Sequence, residues 1–111
     1  MSDFRVLFVD DEADFLETIL KRMQKRGVAA SGVDGGEAAL AWLQQNPADM
    51  VVLDVRMRGM DGIQTLRALK SAHPLVEVIM LTGHASLEIA REGMKLGAFD
   101  YLMKPIDLDE L

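Results

Sequence analysis

Apolar and polar positions along this chain follow two alternating rhythms. Val6-Leu7-Phe8-Val9, Met50-Val51-Val52-Leu53 and Val78-Ile79-Met80-Leu81 are short, unbroken apolar runs. Between them lie longer stretches with apolar residues at helical spacing. Short runs bounded by turn residues read as strands, and their lack of alternation reads as strands covered on both faces. Phe15, Leu16, Ile19, Leu20 and Met23 make one stripe, so residues 13–26 form a helix, ended by Gly27. The same reasoning predicts strands over residues 5–9, 28–31, 50–54, 76–82 and 100–103. It predicts further helices over 36–45, 62–72 and 86–96. Asp34 with Glu37, and Asp61 with Gln64, have capping-box spacing ahead of the second and third helices. Pro105 breaks the pattern, and Asp107–Leu111 begin a fifth helix that is truncated within the chain. Alternating strands and helices predict one α/β domain over residues 1–111, a parallel sheet with right-handed crossovers.

In such a sheet the carboxyl ends of the strands gather at one edge, where open α/β sheets bind ligands. Four strand ends here carry chemistry. Asp10, Asp11 and Glu12 follow the first strand, Asp54 ends the third, Thr82 ends the fourth and Lys104 follows the fifth. If the first and third strands are neighbours, Asp10, Asp11 and Asp54 crowd together and repel. A hard divalent cation resolves that repulsion, and Mg²⁺ takes a few carboxylates while keeping waters and bridging to phosphate. Lys104 adds a point charge and Thr82 a hydroxyl donor, and Gly83 leaves its N–H open to an incoming group. The set is asymmetric: a metal-holding pair plus a nucleophile, Asp54, that would form an aspartyl-phosphate.

Charge and composition narrow the classes. The formal net charge is −6, which opposes direct binding to nucleic acid or an anionic membrane. There is no cysteine, so disulfides and thiolate chemistry are excluded. The N-terminus has no secretory pattern, and no apolar run approaches the ~18 residues of a membrane span. A cytoplasmic location is expected.

Val9-Asp10-Asp11-Glu12, Leu53-Asp54-Val55-Arg56-Met57-Arg58-Gly59-Met60-Asp61-Gly62, Leu81-Thr82-Gly83-His84 and Gly97-Ala98-Phe99-Asp100-Tyr101-Leu102-Met103-Lys104-Pro105 occur in this order. Together they resemble the receiver domain of the two-component response regulators over essentially the whole chain. The resemblance implies a flavodoxin-like, doubly wound five-stranded sheet of order 2-1-3-4-5. It implies a phosphorelay switch, not an enzyme with a separate substrate. Asp54 would be the phospho-acceptor, served by a histidine kinase or phosphotransfer protein. Mg²⁺ or Mn²⁺ would be held by Asp11, Asp54 and the Arg56 carbonyl, with Asp10 acting through a water. Thr82 and Lys104 would hold the phosphoryl oxygens, and Tyr101 would turn inward with Thr82. The Lys104–Pro105 bond would be cis. The surface of the fourth helix and fifth strand would change and would serve a homodimer, with an output domain following in the parent chain.

Two departures stand out. The family usually has Pro where this chain has Arg58, which loosens the loop after Asp54. Arg56 and His84 flank the acceptor at variable positions and, with Gly83, would modulate phosphoryl lifetime. Two alternatives stand beside this reading: an interaction module no longer phosphorylated, and a haloacid-dehalogenase-type phosphatase. The second lacks its second Asp, since Arg56 occupies that position. A flavin module would need a phosphate-cradling loop where the three acids stand.

Overall fold

The computed structural model describes residues 4–56, 61–83 and 87–104. The elements run β1 (Arg5–Val9), α1 (Ala13–Lys25), β2 (Ala29–Val33), α2 (Gly36–Gln45), β3 (Met50–Asp54), α3 (Gly62–Ala72), β4 (Glu77–Thr82), α4 (Leu87–Lys95) and β5 (Asp100–Met103). The strands form one parallel sheet of order β2-β1-β3-β4-β5, the doubly wound arrangement expected. The predicted fifth helix and the Lys104–Pro105 bond lie outside the described residues.

Side-chain alternation along the strands splits the core into two layers. Leu7, Val9, Val51, Leu53, Val78 and Met80 point to one face, where they meet Ala39 and Leu43 of α2, Leu66 and Leu69 of α3 and Ala90 of α4. Val6, Phe8, Val52 and Leu81 point to the other, against Ile19 and Met23 of α1. Both layers use β1, β3 and β4, which is why those strands read as unbroken apolar runs. Burying each such side chain contributes about 1.5–3 kcal/mol, so the central strands are the rigid part of the molecule.

Register sets the strand ends level. Val9 pairs with Val33 and Leu53, Asp54 with Leu81, and Thr82 with Met103. The ladder runs on past the strands. The N–H groups of Asp10, Val55 and Lys104 donate to the carbonyls of Val33, Leu81 and Thr82 at 3.1, 3.1 and 2.8 Å. Each chemistry-bearing residue is thereby tied to its neighbour's backbone.

Some boundaries differ from expectation. β2 spans Ala29–Val33 instead of 28–31, because all five of its residues pair with β1. The local sequence Ala-Ala-Ser-Gly-Val understates a strand that its neighbour templates. α2 spans the expected residues, but Gly35 is its N-cap, with no side-chain cap, so the predicted Asp34–Glu37 capping box does not form. The Asp61–Gln64 box does form, with Gln64 N–H to Asp61 Oδ1 at 2.8 Å and Asp61 N–H to Gln64 Oε1 at 3.1 Å. Among the described residues no helix is long and apolar enough to cross a membrane.

Candidate functional site: a lysine bridging three carboxylates

Asp10 and Asp54 leave neighbouring strands with the same local turn. Asp10 Oδ1 accepts the N–H of Glu12 at 2.9 Å, and Asp54 Oδ1 accepts the N–H of Arg56 at 3.1 Å. An aspartate that binds the backbone two residues on stabilises a turn, so each strand ends sharply. In both, the second oxygen is left to face Lys104. The Lys104 Nζ lies 2.8 Å from Asp10 Oδ2 and 3.4 Å from Asp54 Oδ2, and 2.9 Å from Glu12 Oε1.

Burial makes this arrangement electrostatically tense. Asp10 and Asp54 are 1% and 6% exposed. Burial pushes the Asp54 carboxyl above its ordinary value. The Arg56 N–H opposes this, the Asp10 charge adds to it and Lys104 opposes it, and the net shift is upward. For Lys104, burial alone would lower the value. Hydrogen bonds to Asp10 and Glu12 and the charges of Asp54 and Asp10 outweigh it, so the ammonium is held above the usual lysine range.

Thr82 ends β4 and is buried, its hydroxyl donating to the Gly83 carbonyl at 3.0 Å. A side chain at Gly83 would meet open space, so the backbone there is accessible to an incoming group. Gly62 is required by a close approach: a Cβ there would come within 2.5 Å of the Val55 Cα. Its N–H donates to the Val55 carbonyl at 3.3 Å. The start of α3 thus presses on the backbone next to Asp54 and fixes its course.

The sequence-predicted residues therefore divide. Asp10, Asp54 and Lys104 meet directly, with Thr82 on the adjoining strand end. Arg56 is exposed, and its N–H is held by Asp54. Asp11 is half-exposed and lines a neighbouring groove of about 330 Å³ with Asp34, Gly35, Glu37 and Ala38. Tyr101 is half-buried against the core layer beneath α2, α3 and α4. His84 and Arg58 lie outside the described residues. Glu12, named among the strand-end acids but given no role of its own in the sequence, joins the cluster through Lys104. Its two-residue offset from Asp10 was the signal.

Carboxylate oxygens of Asp10, Glu12 and Asp54 all lie within 4.8 Å of one another. Three hard oxygen donors facing one ammonium carry excess negative charge; burial first, and the Asp10 charge in addition, raise the Asp54 pKa. That donor chemistry fits Mg²⁺ or Mn²⁺.

Comparison with known proteins gives a consistent result. A family model described as the response regulator receiver domain matches residues 6–111. The DNA-binding transcriptional regulator NtrC of Salmonella typhimurium is 36% identical over 105 residues, covering 95% of this chain and 22% of that protein. The transcriptional regulatory protein ZraR of Escherichia coli K12 is 37% identical over 106 residues, covering 96% of this chain and 24% of that protein. A response regulator receiver protein from Pseudomonas putida superposes with a TM-score of 0.92 at 30% identity, covering 99% of this chain and 93% of that one. The chain spans about a quarter of the length of the curated relatives it matches.

Proposed function

This chain belongs to the response regulator receiver domain family, and on that basis we propose that it is a phosphorylation switch with Asp54 as the phosphoryl acceptor. A histidine kinase or phosphotransfer protein supplies the group from a phosphohistidine. A carboxylate oxygen of Asp54 attacks phosphorus; the O–P bond forms, the P–N bond breaks, and the imidazole leaves with the electron pair. Phosphoryl transfer asks mainly for positioning and charge neutralisation. Lys104 and the Thr82 hydroxyl hold the phosphoryl oxygens. Asp11, Asp54 and the Arg56 carbonyl, with Asp10 through a water, would hold a Mg²⁺ or Mn²⁺ ion. When bound, that ion offsets carboxylate and phosphoryl charge. Arg56, Gly83 and His84 modulate the phosphoryl lifetime.

Drawing Thr82 toward the phosphoryl group vacates the space that Tyr101 then enters, and the α4–β5 surface changes. That surface would serve a second copy of the chain or an output segment. NtrC and ZraR are named as transcriptional regulators, which makes control of transcription the favoured output of a longer parent protein. No separate substrate is turned over.

The observation that carries this reading is the Lys104 ammonium between Asp10 and Asp54, 2.8 and 3.4 Å from their carboxylates. Incubation with Mg²⁺ and acetyl phosphate, followed by intact-mass measurement, tests it. A single base-labile phosphoryl adduct is expected, absent without metal and absent in Asp54→Ala. An adduct that persists in Asp54→Ala would overturn the assignment.

A further inference from the structure

The first turn of α1 holds two side chains against Lys104. Glu12 is the N-cap residue of α1, yet its side chain makes no capping bond. Ser, Thr, Asp and Asn are the residues that cap well, so helix initiation does not account for a glutamate here. Its carboxylate is instead 2.9 Å from the Lys104 ammonium, although the side chain is 64% exposed. Phe15 lies three residues on, which places it on the same side of the turn. The Lys104 Nζ sits 4.7 Å from the centroid of the Phe15 ring, inside cation–π range.

An ammonium has three N–H donors. In Lys104 these face Asp10 at 2.8 Å, Glu12 at 2.9 Å and Asp54 at 3.4 Å, so the acceptor aspartate has the longest contact. A phosphoryl group on Asp54 inherits that longest contact, and to draw the ammonium closer it must compete with the two shorter ones to Asp10 and Glu12. Asp10 is buried, and Glu12 is open to water, which replaces its lost bond at little cost.

We propose that Glu12 and Phe15 form a latch on Lys104 that competes with a phosphoryl group on Asp54. Both are positioning residues, and Glu12 is the releasable part. This rests on the reading of Lys104 as a phosphoryl contact. Loosening the latch favours the phosphoryl-bound arrangement, so the first turn of α1 sets how readily the site fills.

The test uses beryllofluoride at saturating Mg²⁺, with affinity measured by calorimetry, and NMR of the ligand-free protein. Glu12→Gln is expected to tighten beryllofluoride about three- to fivefold. Phe15→Leu should tighten it about twofold, and Phe15→Tyr should restore the original affinity. Glu17→Gln, on the same helix and paired with Lys21, controls for loss of a negative charge at a distance and should change nothing. In the ligand-free protein the Lys104 ε-methylene protons should be shifted upfield by the Phe15 ring. That shift should vanish in Phe15→Leu and persist in Phe15→Tyr. Unchanged or weaker beryllofluoride binding in Glu12→Gln, with tight binding to the unmodified protein, would overturn the latch alone. So would the absence of the ring-current shift. Failure of the unmodified protein to bind beryllofluoride would overturn the phosphoryl reading and the competition with it.

Discussion

The β1–α1 and β3–α3 connections begin alike and finish differently. Each opens with an aspartate whose Oδ1 accepts an N–H two residues on. After Asp10 the chain enters α1 almost at once, and the carboxylate takes the closest contact with Lys104, at 2.8 Å. After Asp54 the chain passes through Val55 and Arg56 before α3, and Lys104 is 3.4 Å away. One turn anchors the ammonium; the other leaves a buried carboxylate under-neutralised, with its pKa raised by burial. The same local sequence device thus yields a closely paired carboxylate in one place and a less closely paired one in the other. Lys104, brought in by β5, and not the turn, makes the difference.

The sharpest way to break the contrast is to move the β3–α3 connection. A Cβ on Gly62 would lie 2.5 Å from the Val55 Cα, a backbone atom that cannot rotate away. Gly62→Ala is expected to cost about 2–4 kcal/mol in urea denaturation, since overpacking against backbone displaces a whole segment. Phosphorylation by acetyl phosphate should slow in parallel, because Asp54 precedes Val55 directly. A corresponding change in the β1–α1 connection, Ala13→Gly, should leave the phosphorylation rate much less affected.

Removing the shared ammonium comes next. Lys104→Met leaves Asp10 and Asp54 buried against each other and should cost about 2–3 kcal/mol at pH 7. The native Lys104 pKa lies above its ordinary value of 10.5. The stabilisation is therefore fully present below pH 10.5 and is lost as pH rises through the native value. The unmodified protein should destabilise on that alkaline limb, and Lys104→Met should show no such added loss. Mg²⁺ should raise the melting temperature of Lys104→Met more than that of the unmodified protein, because the carboxylates have no other counter-charge.

Asp54→Asn should act in the opposite direction. The native Asp54 pKa is raised from 3.8, so its ionised form carries a penalty above the native value and none well below 3.8. The isosteric amide removes that penalty and should stabilise the protein at pH 7. The gain should fade as pH falls toward 3.8, read from urea midpoints across the range. A loss of stability at pH 7 would show that the Lys104 contact outweighs desolvation.

How much of this was legible in the residues alone depends on the distance over which each feature is decided. Val6–Val9, Met50–Leu53 and Val78–Leu81 announced central strands because two helical layers demand apolar residues on both faces. The edge strand β2 was less legible: its pairing partner, not its own composition, decides its length. Asp34 was misplaced as a cap because the N-cap is the next residue, Gly35. Asp54 and Lys104 were legible as strand-end residues, and their meeting follows from strand order. Glu12 was named with the strand-end acids, but its pairing with Lys104 was hidden because acids suit a helix start generally. Only the fold, which brings residue 104 beside residue 12, separates a charge on a helix from a charge on a lysine. Phe15 was hidden in the same way, as one more member of an apolar stripe.

The smallest test contrasts the two acidic N-caps that close these connections. Asp61 caps α3 through a reciprocal box with Gln64, whereas Glu12 heads α1 without capping it. Asp61→Ala removes the acceptor for the Gln64 N–H and should cost about 1 kcal/mol. Glu12→Ala removes no capping bond, only an exposed ion pair, and should stay within about 0.5 kcal/mol. Thermal melts of the two variants side by side measure the difference. Equal losses would mean that Glu12 does hold α1 together, and its carboxylate would then be tied to the helix and not released to solvent when Lys104 turns toward Asp54.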